Sequence, residues 1–332
     1  MSLDTLTGLG DERKLVADMA GGDVTLTLFD LEGFKHYNDS YGRACGDVLL
    51  RRLAQRLADA VGPEAEAYRT RGDEFAVLHR GDDVVAAAAA ALVELGEGFM
   101  IRAWHGTVRM PEDTTFPGDA LKLADQRLQQ HRHDPRGDAT PELAMREAAR
   151  SPQAVPAFEA GALAQRVGEA LGVTGDRLSD LVAAAELRDV GMMAVPDAVV
   201  NATGGLGLED RRLIRLHTVV GERLLSANFG MGEVASVVRS SHERFDGHGY
   251  PDGLAGDRIP LAARIVFACG VFSDLTAERP HRRALAPGEA LAEIHRGAGS
   301  QFDPVVADVL TGVVARAGES GRTVHRPAIA AA

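Results

Sequence analysis

Short β-rich runs and helical apolar spacings alternate along the chain as far as His131. Val24 to Phe29 is an apolar run ending at Asp30, the pattern of a buried strand delivering an acid at its end. From Asp47 to Val61, the apolar residues Val48, Leu49, Leu53, Leu57 and Val61 recur at helical spacing. Ala67–Thr70 and Phe75–His79 read as two strands joined through Arg71-Gly72-Asp73, a tight turn in which Gly72 can take positive φ. An alanine-rich helix (Asp83–Leu95), a strand (Met100–Val108) and a helix (Pro117–His131) follow. The alternation predicts an α/β sandwich, with helices covering a sheet. Asp134-Pro135-Arg136-Gly137-Asp138 then reads as a linker, and Thr140-Pro141 as an N-cap and first helical residue. From Pro156 to about Ala315 the pattern is helical, apart from loops at Asn201–Gly207 and Phe245–Pro260. The predicted organisation is an α/β module over 1–137, a linker or helix over 138–155, an all-α module over 156–316 and a tail over 317–332.

Composition narrows the function classes. The 332 residues carry 45% hydrophobic and 25% charged side chains, enough for two packed domains. A net charge of −12 argues against a general nucleic-acid binder, while a few cations in one cleft suffice for a small anion. Cys45 and Cys269 are the only cysteines, with no Cys-x-x-Cys, so neither a disulfide framework nor a thiolate zinc site is expected. Met1–Leu9 lacks a signal-peptide pattern, and the alanine-rich run Val84–Leu95 is too short to span a membrane. A cytoplasmic protein without membrane or nucleic-acid partners is the expectation.

Three stretches of the α/β module carry chemistry: Asp4-Thr-Leu-Thr-Gly-Leu9; Phe29-Asp-Leu-Glu-Gly-Phe-Lys35, continuing through Asn38-Asp-Ser-Tyr-Gly42 and Gly46-Asp47; and Arg69-Thr-Arg-Gly-Asp-Glu-Phe75. Over about residues 4 to 137 this ordered series resembles the GGDEF family of diguanylate cyclases. The resemblance implies condensation of two GTP molecules into cyclic di-GMP, with two Mg²⁺ per site neutralising phosphate charge and activating the attacking oxygen. By the same resemblance Asp30 and Asp73 match metal carboxylates, with the Leu31 carbonyl an extra ligand. Asp73, Glu74 and Lys35 match catalytic positions, Lys35 touching phosphate. Asn38 and Asp47 match the pair that reads guanine, since a carboxylate accepts from N1–H and the 2-amino group. Arg132 and Arg136 fall on the cations that hold the terminal phosphates, in a segment opened by Ala124-Asp125. The signature turn departs from the family: Arg71 replaces its first glycine ahead of Gly72. Arg71 there either blocks the nucleotide or contacts its phosphate. Glu32 stands for an aspartate, and Gly62–Ala65 lacks the R-x-x-D of product inhibition, so strong feedback there is not expected. Taken singly, Asp30 would read as a solvated turn residue; Asp125 is expected to cap or pair locally, and Phe75 and Trp104 to be core.

The helical module carries Leu187-Arg-Asp-Val-Gly191, Leu216-His217, Ser241-His-Glu-Arg-Phe-Asp-Gly-His-Gly-Tyr-Pro251 and Arg264-Ile265. Over about residues 156 to 315 it resembles the HD-GYP family of cyclic di-GMP phosphodiesterases. A metal-assisted phosphodiesterase needs a cage of His and Asp ligands. The resemblance places Leu163, Arg188, Ser241 and Gly270 on ligand positions and Met192 on a phosphate-binding lysine. Asp189, His217 and His242 survive; Arg188 brings a fixed positive charge beside them. The expectation is a degenerate domain without metal and without hydrolysis, serving assembly or regulation, with His217 and His242 as buried hydrogen-bonded residues and His248 solvated. A homodimer is implied, because each cyclase site holds one GTP. The competing expectation is a double pseudoenzyme that binds GTP or cyclic di-GMP without turning it over.

Overall fold

The computed structural model describes residues 2–20, 22–63, 65–81, 83–132, 154–227, 231–278 and 283–322. The chain divides into two compact units, one of residues 1–150 and 193–214, the other of 151–192 and 215–332.

In the first unit, strands β1 (Val24–Glu32), β2 (Glu66–Arg71), β3 (Glu74–His79), β4 (Glu94–Gly96) and β5 (Phe99–Met110) form an antiparallel sheet in the order β2-β3-β1-β5-β4. Central β1 pairs on both sides, setting Asp30 opposite Glu74 of β3 and Trp104 of β5. Side chains alternate across a strand, so Leu26, Leu28 and Asp30 share one face while Phe29 and Leu31 share the other. On the Leu26 face, α1 (Glu12–Met19) and α5 (Pro117–Arg132) close a core with Leu15, Met19, Tyr68, Val108, Ala120 and Ala124. Helices α2 (Phe34–Tyr41), α3 (Arg43–Val61) and α4 (Asp83–Ala91) complete the layers. The α3 stripe Leu49, Leu53 and Leu57 is fully buried.

The expected α/β sandwich is therefore an antiparallel sheet covered by helices. Two eight-residue helices, α1 and α2, go beyond the sequence expectation. Both are too short for a long periodic signal, although Phe34, Tyr37 and Tyr41 are the buried positions of α2. The alanine-rich helix stops at Ala91, short of the expected Leu95, because Glu94 turns inward. Its carboxylate accepts from Arg52 and Arg56 Nη1, each at 2.7 Å, and the chain returns as the β4–β5 hairpin. Residues 193–214 group with this unit, where the Tyr37 hydroxyl donates to the Ala194 carbonyl at 2.7 Å.

The second unit is helical. Helix Leu261–Thr276 lies among helices Ala154–Ala170, Asp176–Leu187, Gly232–Ser240, Pro287–Arg296 and Pro304–Arg322. Its core takes Leu163, Val167, Leu181, Val238, Ile265, Val266, Ile294 and Leu310. Residues 245–260 form the expected loop, broken by a single 3₁₀ turn at Gly256–Arg258. The Thr140-Pro141 cap and most of the 138–155 and 317–332 segments lie outside the described residues.

Candidate functional site

The first site grows from the end of β1 and the β2–β3 turn. Gly72 takes φ +52°, which closes the turn and carries Asp73 and Glu74 back toward β1. Arg69 fixes this turn: its Nε and Nη2 donate to the Gly72 carbonyl at 2.9 and 2.6 Å, and its Nη1 donates to Asp4 Oδ1 at 3.1 Å. Asp4 also accepts from the Thr7 amide and hydroxyl at 2.8 and 2.6 Å. Partial burial pushes the Asp4 carboxyl up, but these bonds from Thr7 and Arg69 hold it below the usual range. The opening motif is thus a brace for the hairpin.

A cavity of about 210 Å³ lies between this hairpin, β1 and α5, lined by Asp30, Arg71, Glu74, Lys122, Asp125 and Glu12 among others. Asp30 has its carboxyl pushed above the usual value, by burial first and then by the charges of Asp73, Glu74 and Asp125. Arg132 opposes that shift, its Nη1 standing 3.8 Å from Asp30 Oδ2. Arg71 Nε donates to Glu74 Oε2 at 2.9 Å, so the substituted turn residue lies on its own hairpin's acid. Crowded carboxylate oxygens are the donor set a hard divalent cation takes, and such an ion would relieve the repulsion felt by Asp30. The residues present therefore fit Mg²⁺.

Asn38 sits on α2, and Asp47 is exposed on the early turns of α3. Helix α3 begins four residues before Asp47, and Gly46 in its first turns is buried against Asn38. A Cβ on Gly46 would lie 1.8 Å from Asn38 Oδ1, so only glycine leaves room for that amide. Asn38 Oδ1 is buried without a hydrogen bond among the described residues, an unmet acceptor at the position expected to read a base. Lys35 is exposed in the first turn of α2. Arg136 lies outside the described residues.

Sequence reasoning quoted Arg69 in its motif without giving it a role, passed over Lys122 and Glu12, and read Asp125 as a local cap or pair. The signal was available for part of this set: Leu121, Asp125 and Leu128 lie on one face of α5 at helical spacing. Phe75 is fully buried, as expected. Trp104 is not core: it is half-buried, its Nε1 donates to Glu32 Oε2 at 3.1 Å, and its ring meets His131 edge-on at 5.3 Å. An indole keeps its N–H bonded, which draws it to the sheet end beside Glu32.

In the helical unit, ligand atoms of Asp189, His217 and His242 lie within 4.8 Å of one another. His217 is 2% exposed, with Nε2 3.7 Å from Asp189 Oδ1. Burial and the neighbouring His217 push the His242 pKa down to about 3, which keeps its ring neutral. The Ser241 hydroxyl donates to the Val238 carbonyl at 2.7 Å, so its 3.0 Å contact with His242 Nδ1 is one in which the ring donates. His242 Nε2 then carries the lone pair, the state a metal ligand needs. This geometry does not support the expectation that the helical unit holds no metal.

Arg188 is 4% exposed, its Nη2 standing 3.2 Å from Asp189 Oδ2 and 3.4 Å from Asp274 Oδ1. A Cβ on Gly270 would come within 2.8 Å of Arg188 Nε, so the missing side chain at 270 is the room the guanidinium fills. The loop is pinned beside this cluster by Glu243, a 2% exposed carboxylate accepting from the Asp252 and Leu254 amides at 2.7 and 3.1 Å. Tyr250 stacks on His242 at 5.2 Å between ring centroids. His248 is exposed, as expected.

A family model described as "HD domain" matches residues 130–306, more than half of the chain, and one described as "Diguanylate cyclase, GGDEF domain" matches residues 3–138. The cyclic di-GMP phosphodiesterase response regulator RpfG of Xanthomonas campestris pv. campestris is 38% identical over 146 residues, 43% of this chain and 39% of that protein. A cyclic di-GMP phosphodiesterase of Thermotoga maritima is 31% identical over 150 residues, 45% of this chain and 41% of that protein. The chain thus spans about two fifths of the length of these curated relatives. Among solved structures, a sensory box/GGDEF family protein of Caulobacter crescentus aligns with TM-score 0.35 and 27% identity, covering 39% of this chain and 97% of that one. The cyclic GMP-AMP specific phosphodiesterase V-cGAP3 of Vibrio cholerae aligns with TM-score 0.41 and 21% identity, covering 52% and 46%. The chain belongs to the HD domain family and carries a GGDEF diguanylate cyclase domain ahead of its HD domain.

Proposed function

We propose that the protein is a diguanylate cyclase, condensing two GTP into cyclic di-GMP, and that its degenerate HD-GYP-like domain serves assembly or regulation. The observation that carries this reading is the acid-lined cavity at the β1 end, where Asp30 feels the charges of Asp73 and Glu74. Asp30, Asp73 and the Leu31 carbonyl would hold Mg²⁺, which supplies charge neutralisation for the triphosphate and acidifies the attacking 3′-hydroxyl. Asn38 and Asp47 bind the guanine edge, Lys35 and Arg132 orient phosphate oxygens, and Glu74 takes part in metal or proton handling. A homodimer brings two such half-sites face to face. The test is incubation of the purified chain with GTP and Mg²⁺, followed by chromatography. Cyclic di-GMP is expected from the wild type and none from Asp73→Asn. GTP binding without product would favour the non-catalytic alternative, a sensor of GTP or cyclic di-GMP.

A second reading, phosphodiesterase activity, is favoured by the convergence of Asp189, His217 and His242 and by the names of the relatives. Against it stands Arg188, whose fixed positive charge pairs with Asp189 and Asp274 where a metal ion would sit. The donors left fit one divalent ion, and our reading is that no hydrolysis follows. Linearisation of cyclic di-GMP on adding Mn²⁺ or Fe²⁺ would overturn this part of the account.

A further inference from the structure

We propose that Arg71 and Arg132 are exchangeable counter-cations of the cyclase site, holding its carboxylates until metal and nucleotide arrive and then passing to the phosphates. The proposal rests on the cyclase reading above. Two guanidiniums stand over the acid cluster, Arg71 on Glu74 at 2.9 Å and Arg132 on Asp30 at 3.8 Å. They are held differently from Arg69. That residue is 11% exposed and is tied to Gly72 and Asp4, whereas the Arg71 and Arg132 side chains are 74% and 45% exposed. Arg69 is structural; the other two have room to swing.

The acids need these cations in the absence of metal. Asp30 pairs opposite Glu74 across the β1–β3 ladder and feels the negative charges of Asp73, Glu74 and Asp125. Asp30 and Asp73 would hold a divalent ion whose charge would replace that of the guanidiniums, so both arginines would compete with the metal. Once displaced, a guanidinium presents a planar fork of donors that suits phosphate oxygens better than an ammonium does. Arg71 is thereby neither a blockage nor a neutral replacement for glycine. It weakens metal binding alone and strengthens nucleotide binding, which couples the two.

The experiment uses the full chain. Mn²⁺ is titrated without nucleotide and the free ion read by electron paramagnetic resonance; the fraction of binding lost in Asp73→Asn reports this site. Separately, α,β-methylene GTP is titrated calorimetrically in saturating Mn²⁺. Arg71→Ala and Arg132→Ala should each tighten Mn²⁺ about two- to fivefold, the strength of an exposed ion pair, and weaken the nucleotide analogue by a similar factor. Arg71→Lys keeps the charge and should restore most of the wild-type Mn²⁺ affinity. Unchanged or weaker Mn²⁺ binding in the alanine variants, with Asp73→Asn still loosening it, overturns the proposal and leaves the cyclase site standing. If Asp73→Asn binds Mn²⁺ as the wild type does, the site reading fails and the proposal with it.

Discussion

Removing the Glu243 carboxylate should release the loop over 245–260. The side chain is 2% exposed and accepts two backbone bonds, from Asp252 at 2.7 Å and Leu254 at 3.1 Å. In Glu243→Ala both amides lose their acceptor. An unsatisfied buried donor costs roughly 1–3 kcal/mol, so the loop should lose about 3 kcal/mol. Glu243→Gln retains one accepting oxygen but turns an amide NH₂ toward the second donor, and should cost about half as much. Hydrogen exchange at the Asp252 and Leu254 amides reads this locally: exchange should accelerate roughly 100-fold in the alanine variant and about tenfold in the glutamine variant. The Tyr250 ring, stacked on His242, should lose its ordered packing in the same variants. Wild-type exchange rates at both amides in Glu243→Ala would mean that the carboxylate does not hold the loop.

Two further outcomes test the first unit. Arg127 Nη1 and Nη2 each donate to Asp113 at 2.8 Å, and these bonds lower the Asp113 pKa to about 2. The folded value lies below the unfolded one, so the pair supports folding above about pH 4 and loses that contribution as pH falls toward 2. NMR titration of Arg127→Met should show the Asp113 pKa rising, while the Arg109 amide, which donates to Oδ2 at 2.8 Å, still holds it below the free value; an unmoved pKa would exclude Arg127 as the main cause. In Gly46→Ala, the added methyl meets Asn38 Oδ1 at 1.8 Å and must displace the amide. GTP affinity should fall roughly tenfold, with a smaller loss for ATP; equal affinity for GTP would mean that Asn38 does not read the base.

What the sequence made legible follows from how each signal is written. Strand β1 and helix α3 were readable because Val24–Phe29 and the Leu49, Leu53, Leu57 stripe carry the periods of a buried strand and a one-sided helix. The acids were readable because they occupy ordered short motifs at a strand end and a turn. Helices α1 and α2 escaped because eight residues give barely two turns of periodicity. Strand β4 escaped because its cause is tertiary: Glu94 is drawn inward by Arg52 and Arg56, far from it in sequence. The bracing role of Arg69 was hidden for the same reason, since Asp4, which it grips, is 65 positions away. In the helical unit the sequence showed which ligand positions had changed. It did not show that Asp189, His217 and His242 still converge, or that Gly270 makes the room Arg188 takes.

The proposed cyclase depends on the first unit gripping divalent cations and a guanine nucleotide at the β1 end. The most direct measurement is a crystal of the full chain grown with α,β-methylene GTP and Mn²⁺ and examined by anomalous diffraction. Manganese peaks are expected against Asp30 and Asp73, with the base against Asn38 and Asp47. A nucleotide bound elsewhere, or no anomalous peak at those two carboxylates, would contradict the cyclase reading.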